Sequence, residues 1–183
     1  SEFKKNVIEP FTGEYLAART PNPCVECNST IKFGAMLDYA LNELRCDGIA
    51  TGHYAQIEEK NGKFLLKRSA SPKDQSYFLH RLTQFQLAHS MFPLDGFEKE
   101  YIREYAEKLK LPVASKRDSQ EICFLPEGNH TEFIESRAGK CPEGDFIDEN
   151  GAALGKHKGI IHYTVGQRKG LGMGFGKPIF VLD

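Results

Sequence analysis

The chain carries almost no net charge: 24 Lys and Arg stand against 25 Asp and Glu, leaving −1 over 183 residues. Bulk electrostatics therefore neither demand nor exclude a nucleic-acid partner, and any RNA-binding surface has to be a local patch. No apolar run approaches the roughly 18 residues of a membrane span, and no signal-peptide pattern is present, so no membrane partner is expected. There is no internal repeat and no low-complexity tract, which excludes a repeat array. An even disulfide framework is missing as well. The five cysteines, Cys24, Cys27, Cys46, Cys123 and Cys141, are odd in number and irregular in spacing. That pattern fits a reducing compartment, and a cytoplasmic location is expected.

What is present is an ordinary globular composition, 40% hydrophobic and 27% charged, in a length that suits one domain or one and a half. The most informative stretch runs from Thr20 to Asn28 and on into Phe33. Pro21 and Pro23 stiffen the backbone just ahead of Cys24 and Cys27, a C-x-x-C pair. Asn28 or Ser29 is expected to cap a helix with apolar residues at Phe33, Met36, Leu37, Ala40, Leu41 and Leu44, spaced at three and four. Both thiols would then lie in a stiff loop beside a helix N-terminus, whose positive end favours the thiolate.

Ahead of that stretch, Phe3, Val7, Ile8, Phe11 and Tyr15 follow a helical spacing interrupted by Pro10, a beginning that suggests an internal piece of a longer protein. After it, Arg45 to Gly48 reads as a helix end with glycine beyond it. Residues 49–55 read as a short buried strand turning at Gly52, so Gly52 and His53 sit where α/β sheets bind ligands. Asn61-Gly62 marks a hairpin over residues 56–68. Asp74 is placed to cap a short helix after the polar loop 71–76. Helices are expected over residues 83–89, 98–109 and 131–137, the second with Tyr101, Ile102, Tyr105, Ala106 and Leu109 on one face, and a short strand at residues 112–114. From Gly144 onward the pattern turns to short strands and glycine turns, including residues 160–163 and 179–182. The reading is α/β: part of an α/β catalytic domain over residues 1–125, then a small β-rich domain over 126–183.

Several chemistries are open to these residues. A lone C-x-x-C can belong to a structural zinc site, but a second ligand pair would have to come from Cys123 with Cys141, or from His53. It can also be a redox pair, or simply two small core residues. Pairing of a thiol here with Cys123, or a three-cysteine iron–sulfur site, completes the set. Lys73, Asp74, Gln75 and Ser76 precede Tyr77 and Phe78, a combination that suits phosphate contacts and base stacking or, equally, a solvated loop. Gly166 to Gly172, with Arg168 and Lys169, is a basic glycine-rich loop able to approach a phosphate backbone. The charged run Lys116 to Asp118 precedes Cys123, and cations near a thiol favour thiolate.

Taken in order, TPNPCVECNSTIKFG, ATGHYA, KDQSYFL, SQEICF and HYTVGQRKGLG resemble the tRNA-specific 2-thiouridylase family over most of the chain. The resemblance implies a doubly wound nucleotide-binding domain of PP-loop type followed by a small central tRNA-binding domain. It implies an enzyme, a tRNA-uridine 2-sulfurtransferase that uses ATP with magnesium to adenylate C2 of the wobble uridine and then replaces that oxygen with sulfur from a cysteine persulfide. By that resemblance Cys27 is the catalytic cysteine, and Cys123 carries the persulfide and can close a disulfide with Cys27. Gly52 contacts ATP. Asn22, Pro23 and Cys24 face the target base, and His53 with Lys73, Asp74, Gln75 and Ser76 contacts tRNA. A cysteine desulfurase or a sulfur-relay protein is the expected donor. Many members have aspartate where this chain has Cys24. Cys24, Cys27 and Cys123 would instead suit three corners of a four-iron cluster. The family's S-G-G-x-D-S loop and C-terminal barrel are not in the sequence, so the 183 residues by themselves are expected not to complete a turnover. The alternative is a non-catalytic, zinc- or cluster-stabilised RNA-binding module.

Overall fold

The computed structural model describes residues 1–112, 114, 122–125, 129–172, 174, 176 and 178–182. In chain order the elements are α1 (Glu9–Leu16), α2 (Pro23–Glu26), α3 (Met36–Asn42), β1 (Ile49–Ala50), β2 (Ala55–Lys60), β3 (Lys63–Arg68), α4 (Gln84–Ala88), β4 (Ser90–Met91), α5 (Lys99–Lys108), α6 (His130–Ala138), β5 (Gly144–Ile147) and β6 (Ala153–His157). The mixture of helices and strands is α/β in character. The chain packs as two compact units, Ser1–Asn6 with Cys24–Ser119, and Val7–Pro23 with Gln120–Asp183.

In the first unit, α2 and α3 are the ends of one helical run whose middle, Cys27–Ala35, is wound as a π-helix; the Met36 amide still donates five residues back, to Ile31. This corrects the expected stiff loop. Proline at the first helical position lacks only an N–H that would have no partner there. Both cysteines therefore lie inside the helix, and Asn28 and Ser29 are interior residues rather than caps. Phe33, Leu37 and Ala40 are buried as expected, while Met36 and Leu44 are exposed.

The helix does not end on glycine. Arg45 takes the left-handed conformation, with φ at 56°, and the Cys46 amide reaches back to Ala40. Gly48 serves another purpose. A Cβ on it would lie 2.4 Å from the carbonyl oxygen of His89, because β1 pairs there with β4 in parallel. The ladder extends through Ile49 N–H to His89 and Thr51 N–H to Met91. The pair is shorter and less buried than the expected strand. β2 and β3 form the expected antiparallel hairpin, with positive φ at Asn61 and Gly62 as a type I′ turn requires. Phe33, Ala55, Leu79 and Phe92 make the core, with Ile49, Ile57, Leu66 and Leu82 against it.

α4 begins on a capping box, Thr83 with Gln86. α5 has the expected amphipathic pattern, yet Tyr101, Tyr105 and Leu109 remain exposed, with the Phe97, Tyr101 and Tyr105 rings stacked along it. Ala114 donates to Leu111 in a turn, not the strand expected at residues 112–114; Val113 lies outside the described residues, as does the expected polar loop 115–120.

The second unit is built around Phe11, Tyr15, Leu125, Ile134, Cys141 and Ile161. Pro10 stands in the first turn of α1 and does not interrupt the helix, so Phe11 and Tyr15 reach this core. α6 starts at the Asn129 cap, and β5 and β6 form a hairpin. Residues 160–162 are a 3-10 turn, not a strand, and, among the described residues, 179–182 bond through Gly166 N–H to Val181 and Val181 N–H to Gln167. Glycine-rich sequence of this kind has too few side chains to hold longer ladders.

Candidate functional site

The helical run bearing Cys24 and Cys27 is tied at three places to residues 78–86. The Asn28 amide donates to the Phe78 carbonyl at 2.9 Å. The Gln86 amide donates to the Ser29 carbonyl, also at 2.9 Å. Glu26 is ion-paired with Arg81. The Asn28 side chain is buried, and among the described residues its Oδ1 has no hydrogen-bond partner. Cys24 is exposed near the helix start, Cys27 is half-buried, Asn22 is half-buried and Pro23 is buried.

The segment 69–76 is folded around Asp74. Its carboxylate accepts from the Ser69 amide at 2.8 Å, the Ser76 amide at 3.3 Å and the Ser76 hydroxyl at 2.9 Å, with Arg68 at 3.7 Å. Burial pushes that carboxyl up, but these donors and the Arg68 charge outweigh it and leave it below the ordinary carboxylate range. Gln75 brackets the main chain of Tyr54: its amide N–H donates to the Tyr54 carbonyl at 2.7 Å, and its side-chain oxygen accepts from the Tyr54 amide at 3.1 Å. Asp74, Gln75 and Ser76 thus shape the loop, whereas the Lys73 side chain is exposed. The sequence makes these four equivalent; their geometry does not.

At the carboxyl end of β1 lies an open pocket of about 400 Å³ lined by Lys32, Ala50, Thr51, Gly52, His53 and Gln75. His53 shares a 2.7 Å hydrogen bond through Nδ1 with the Thr51 hydroxyl. Its ring lies about 6 Å from those of Phe33 and Phe92. Burial, then the nearby Lys32 charge, push its pKa down to about 4, so it is a neutral imidazole at physiological pH. It cannot hold an RNA phosphate as a cation. A Cβ on Gly52 would meet only Leu94 Cδ1, at 3.6 Å, so the space beside Gly52 is open. Lys32, Thr51 and Ala50 are lining residues that the sequence reading missed. Lys32 stands one turn from Cys27 in a helix bonded five residues apart, a register that the sequence spacing does not show.

Cys123 belongs to the second unit. It is exposed on a turn closed by the Leu125 amide and the Ile122 carbonyl, while Ile122, Phe124 and Leu125 pack on the core. Apolar neighbours on both sides thus hold the backbone and leave the thiol outside. Ser119, Gln120 and Glu121 of the same block, and Lys116 to Asp118, lie outside the described residues. Cys141 is a core residue, which removes the second zinc pair that the spacing allowed. In the basic loop, Gln167 accepts from the Thr164 amide and donates to the Lys169 carbonyl, holding Arg168 and Lys169 exposed. Among the described residues no group of three or more His, Cys, Asp or Glu side chains is placed to hold a metal ion; the iron–sulfur alternative therefore gains no support. No described helix is long and apolar enough to cross a membrane.

Residues 1–127 match the family model described as the tRNA methyl transferase HUP domain. Residues 131–183 match the tRNA methyl transferase PRC-barrel domain. The chain is 52% identical over 184 residues to a protein of Clostridium botulinum (strain Okra / Type B1) named tRNA-specific 2-thiouridylase MnmA 1, covering 100% of this chain and 52% of that protein. It is also 52% identical over 183 residues to tRNA-specific 2-thiouridylase MnmA of Clostridium kluyveri, covering 99% of this chain and 51% of that one. The chain spans about half the length of the curated relatives it matches.

Proposed function

This chain belongs to the tRNA methyl transferase HUP-domain family, with relatives named as tRNA-specific 2-thiouridylases, and from that premise we propose that it is the sulfur-transfer part of an ATP-dependent tRNA-uridine 2-sulfurtransferase. The family description speaks of methyl transfer and the relatives' names of thiolation. Methyl transfer needs no thiol pair, whereas Cys27 and the exposed Cys123 suit sulfur exchange, which favours thiolation. The observation that carries the proposal is that one helical run bears Cys27 and, one turn on, lines the pocket at the end of β1 with Lys32.

In this reading the pocket around Gly52 receives the nucleotide, and ATP, when bound, supplies the activation of C2 of the wobble uridine. Asn22, Pro23 and Cys24 border the target base at the helix start. Lys73, Arg168 and Lys169 meet tRNA phosphates as exposed cations, while Asp74, Gln75 and Ser76 shape the loop of Lys73 and neutral His53 lines the pocket. Cys123 is loaded as a persulfide by a cysteine desulfurase or a relay protein. Its terminal sulfur bonds to C2 as AMP leaves. The Cys27 thiolate then attacks Cys123 Sγ, breaking the S–S bond and releasing 2-thiouridine. The resulting Cys27–Cys123 disulfide takes two electrons from a thiol reductant before the next turnover. A tRNA substrate agrees with a cytoplasmic location.

The test uses the full-length protein with tRNA, ATP, a sulfur donor and a thiol reductant, reading 2-thiouridine by mass spectrometry. Cys27→Ser and Cys123→Ser are expected to abolish thiolation and leave tRNA binding intact. Retained thiolation in Cys123→Ser overturns the persulfide route. Iron and acid-labile sulfide near four per chain after anaerobic purification, lost in Cys24→Ala, would replace it with a cluster. Tight zinc with no thiolation in the unsubstituted protein would leave only an RNA-binding module.

A further inference from the structure

We infer that Lys32 is the phosphate-binding residue of the pocket at the end of β1, its ammonium meeting the phosphate of the nucleotide that the pocket receives. The inference rests on the ATP reading above and gives that reading a specific residue.

Lys32 is half-buried, and among the described residues no carboxylate or other acceptor meets its side chain. The remaining lining groups, Ala50, Thr51, Gly52, His53 and Gln75, include no acid. His53 adds no positive charge at physiological pH, since its pKa lies near 4. Among the described residues the pocket therefore holds one cation with no counter-charge. A partly desolvated ammonium without a partner is unfavourable, and an anionic ligand relieves that cost. Phosphate fits better than a planar carboxylate, because the lysine head is a compact point charge on a flexible stem, whereas bidentate carboxylate recognition favours arginine.

The position supports a nucleotide. The pocket lies at the carboxyl end of a parallel strand, where α/β sheets bind ligands. Its volume of about 400 Å³ is within the range of small-molecule sites. The backbone carrying Lys32 is held from both sides. Phe33 is buried in the core, and the preceding turn is tied down by Asn28 and Ser29. The stem is flexible, but its root is fixed.

The experiment measures binding of a non-hydrolysable ATP analogue, AMP, adenosine and tRNA to the full-length protein, as wild type, Lys32→Met and Lys32→Arg. Lys32→Met is expected to weaken the analogue and AMP by about 10-fold or more, the usual effect of losing a charged hydrogen bond. Adenosine and tRNA affinities should stay within about twofold, and Lys32→Arg should restore most of the loss. The assignment is overturned if the analogue binds Lys32→Met as it binds wild type. Equal loss of adenosine also overturns it, as general damage to the pocket. Loss confined to tRNA overturns it in favour of an RNA phosphate. If the wild type itself does not bind the analogue, the ATP reading falls and this assignment with it.

Discussion

Asn28 donates its side-chain amide to the main-chain carbonyl of Phe78, 2.9 Å away and fifty residues along the chain. The bond fastens the helix of Cys27 to the aromatic segment after the 73–76 loop, and the side chain that makes it is only 3% exposed. Asn28→Ala leaves a partly buried carbonyl without its donor and is expected to destabilise the first unit by about 1–3 kcal/mol. Asn28→Asp should cost more, because it removes the donor and places an acid in a buried site. Urea unfolding of the full-length variants checks both, and equal midpoints for wild type and Asn28→Ala would refute the role.

Gln75 holds Tyr54 through its side-chain oxygen as well as its own amide. Gln75→Glu retains an acceptor and should leave the Tyr54 amide protected. Gln75→Ala should expose that amide and speed its hydrogen exchange by about 10-fold, the equivalent of a bond of roughly 1.4 kcal/mol. Equal exchange in the two variants would show that the side chain contributes nothing.

His53 is pushed down to about 4 in the folded protein by burial and then by Lys32, against an ordinary value of about 6.5. Between these values the unfolded chain takes up a proton that the folded chain refuses. Its contribution to stability is therefore intact above pH of about 6.5 and falls as pH drops towards about 4. Partial exposure limits the loss to roughly 1–3 kcal/mol. His53→Gln should flatten the stability profile across that window, and NMR should show no titration of the wild-type ring between pH 5.5 and 8, a range chosen to lie above the shifted value. A ring that titrates near pH of about 6.5 would contradict the burial argument.

Gly48 lies so close to His89 that any Cβ would overlap its carbonyl. Gly48→Ala is expected to cost about 1–3 kcal/mol by forcing β1 and β4 apart, seen as a lowered thermal midpoint. An unchanged midpoint would show that the pairing yields without strain.

Much of this was legible in the chain itself. The Asn61-Gly62 hairpin, the Thr83 and α6 helix starts, and the core positions Phe33, Leu37 and Ala40 follow from local spacing and turn chemistry, because each depends on neighbours a few residues away. Where the expectation failed, a local rule was overtaken. Pro23 reads as a stiffener of a loop, yet it starts a helix. Gly48 reads as a helix end, yet it serves a strand pairing with residues 89–91. Cys141 reads as a ligand candidate, yet an apolar core claims it.

By itself the sequence determined the motifs, the α/β character, and the presence of Cys27, Cys123, Gly52 and His53 in blocks that resemble one family, since these depend on residue identity and order. Only the tertiary structure decided how the residues divide the work. It turned Asp74 and Ser76 inward to hold their loop, committed Gln75 to Tyr54 and made His53 neutral. It also brought Lys32 to a pocket whose other described lining residues carry no charge at physiological pH. Burial and hydrogen bonds between distant segments, Asn28 with Phe78 and Gln75 with Tyr54, made those choices together with the π-wound register of residues 27–35.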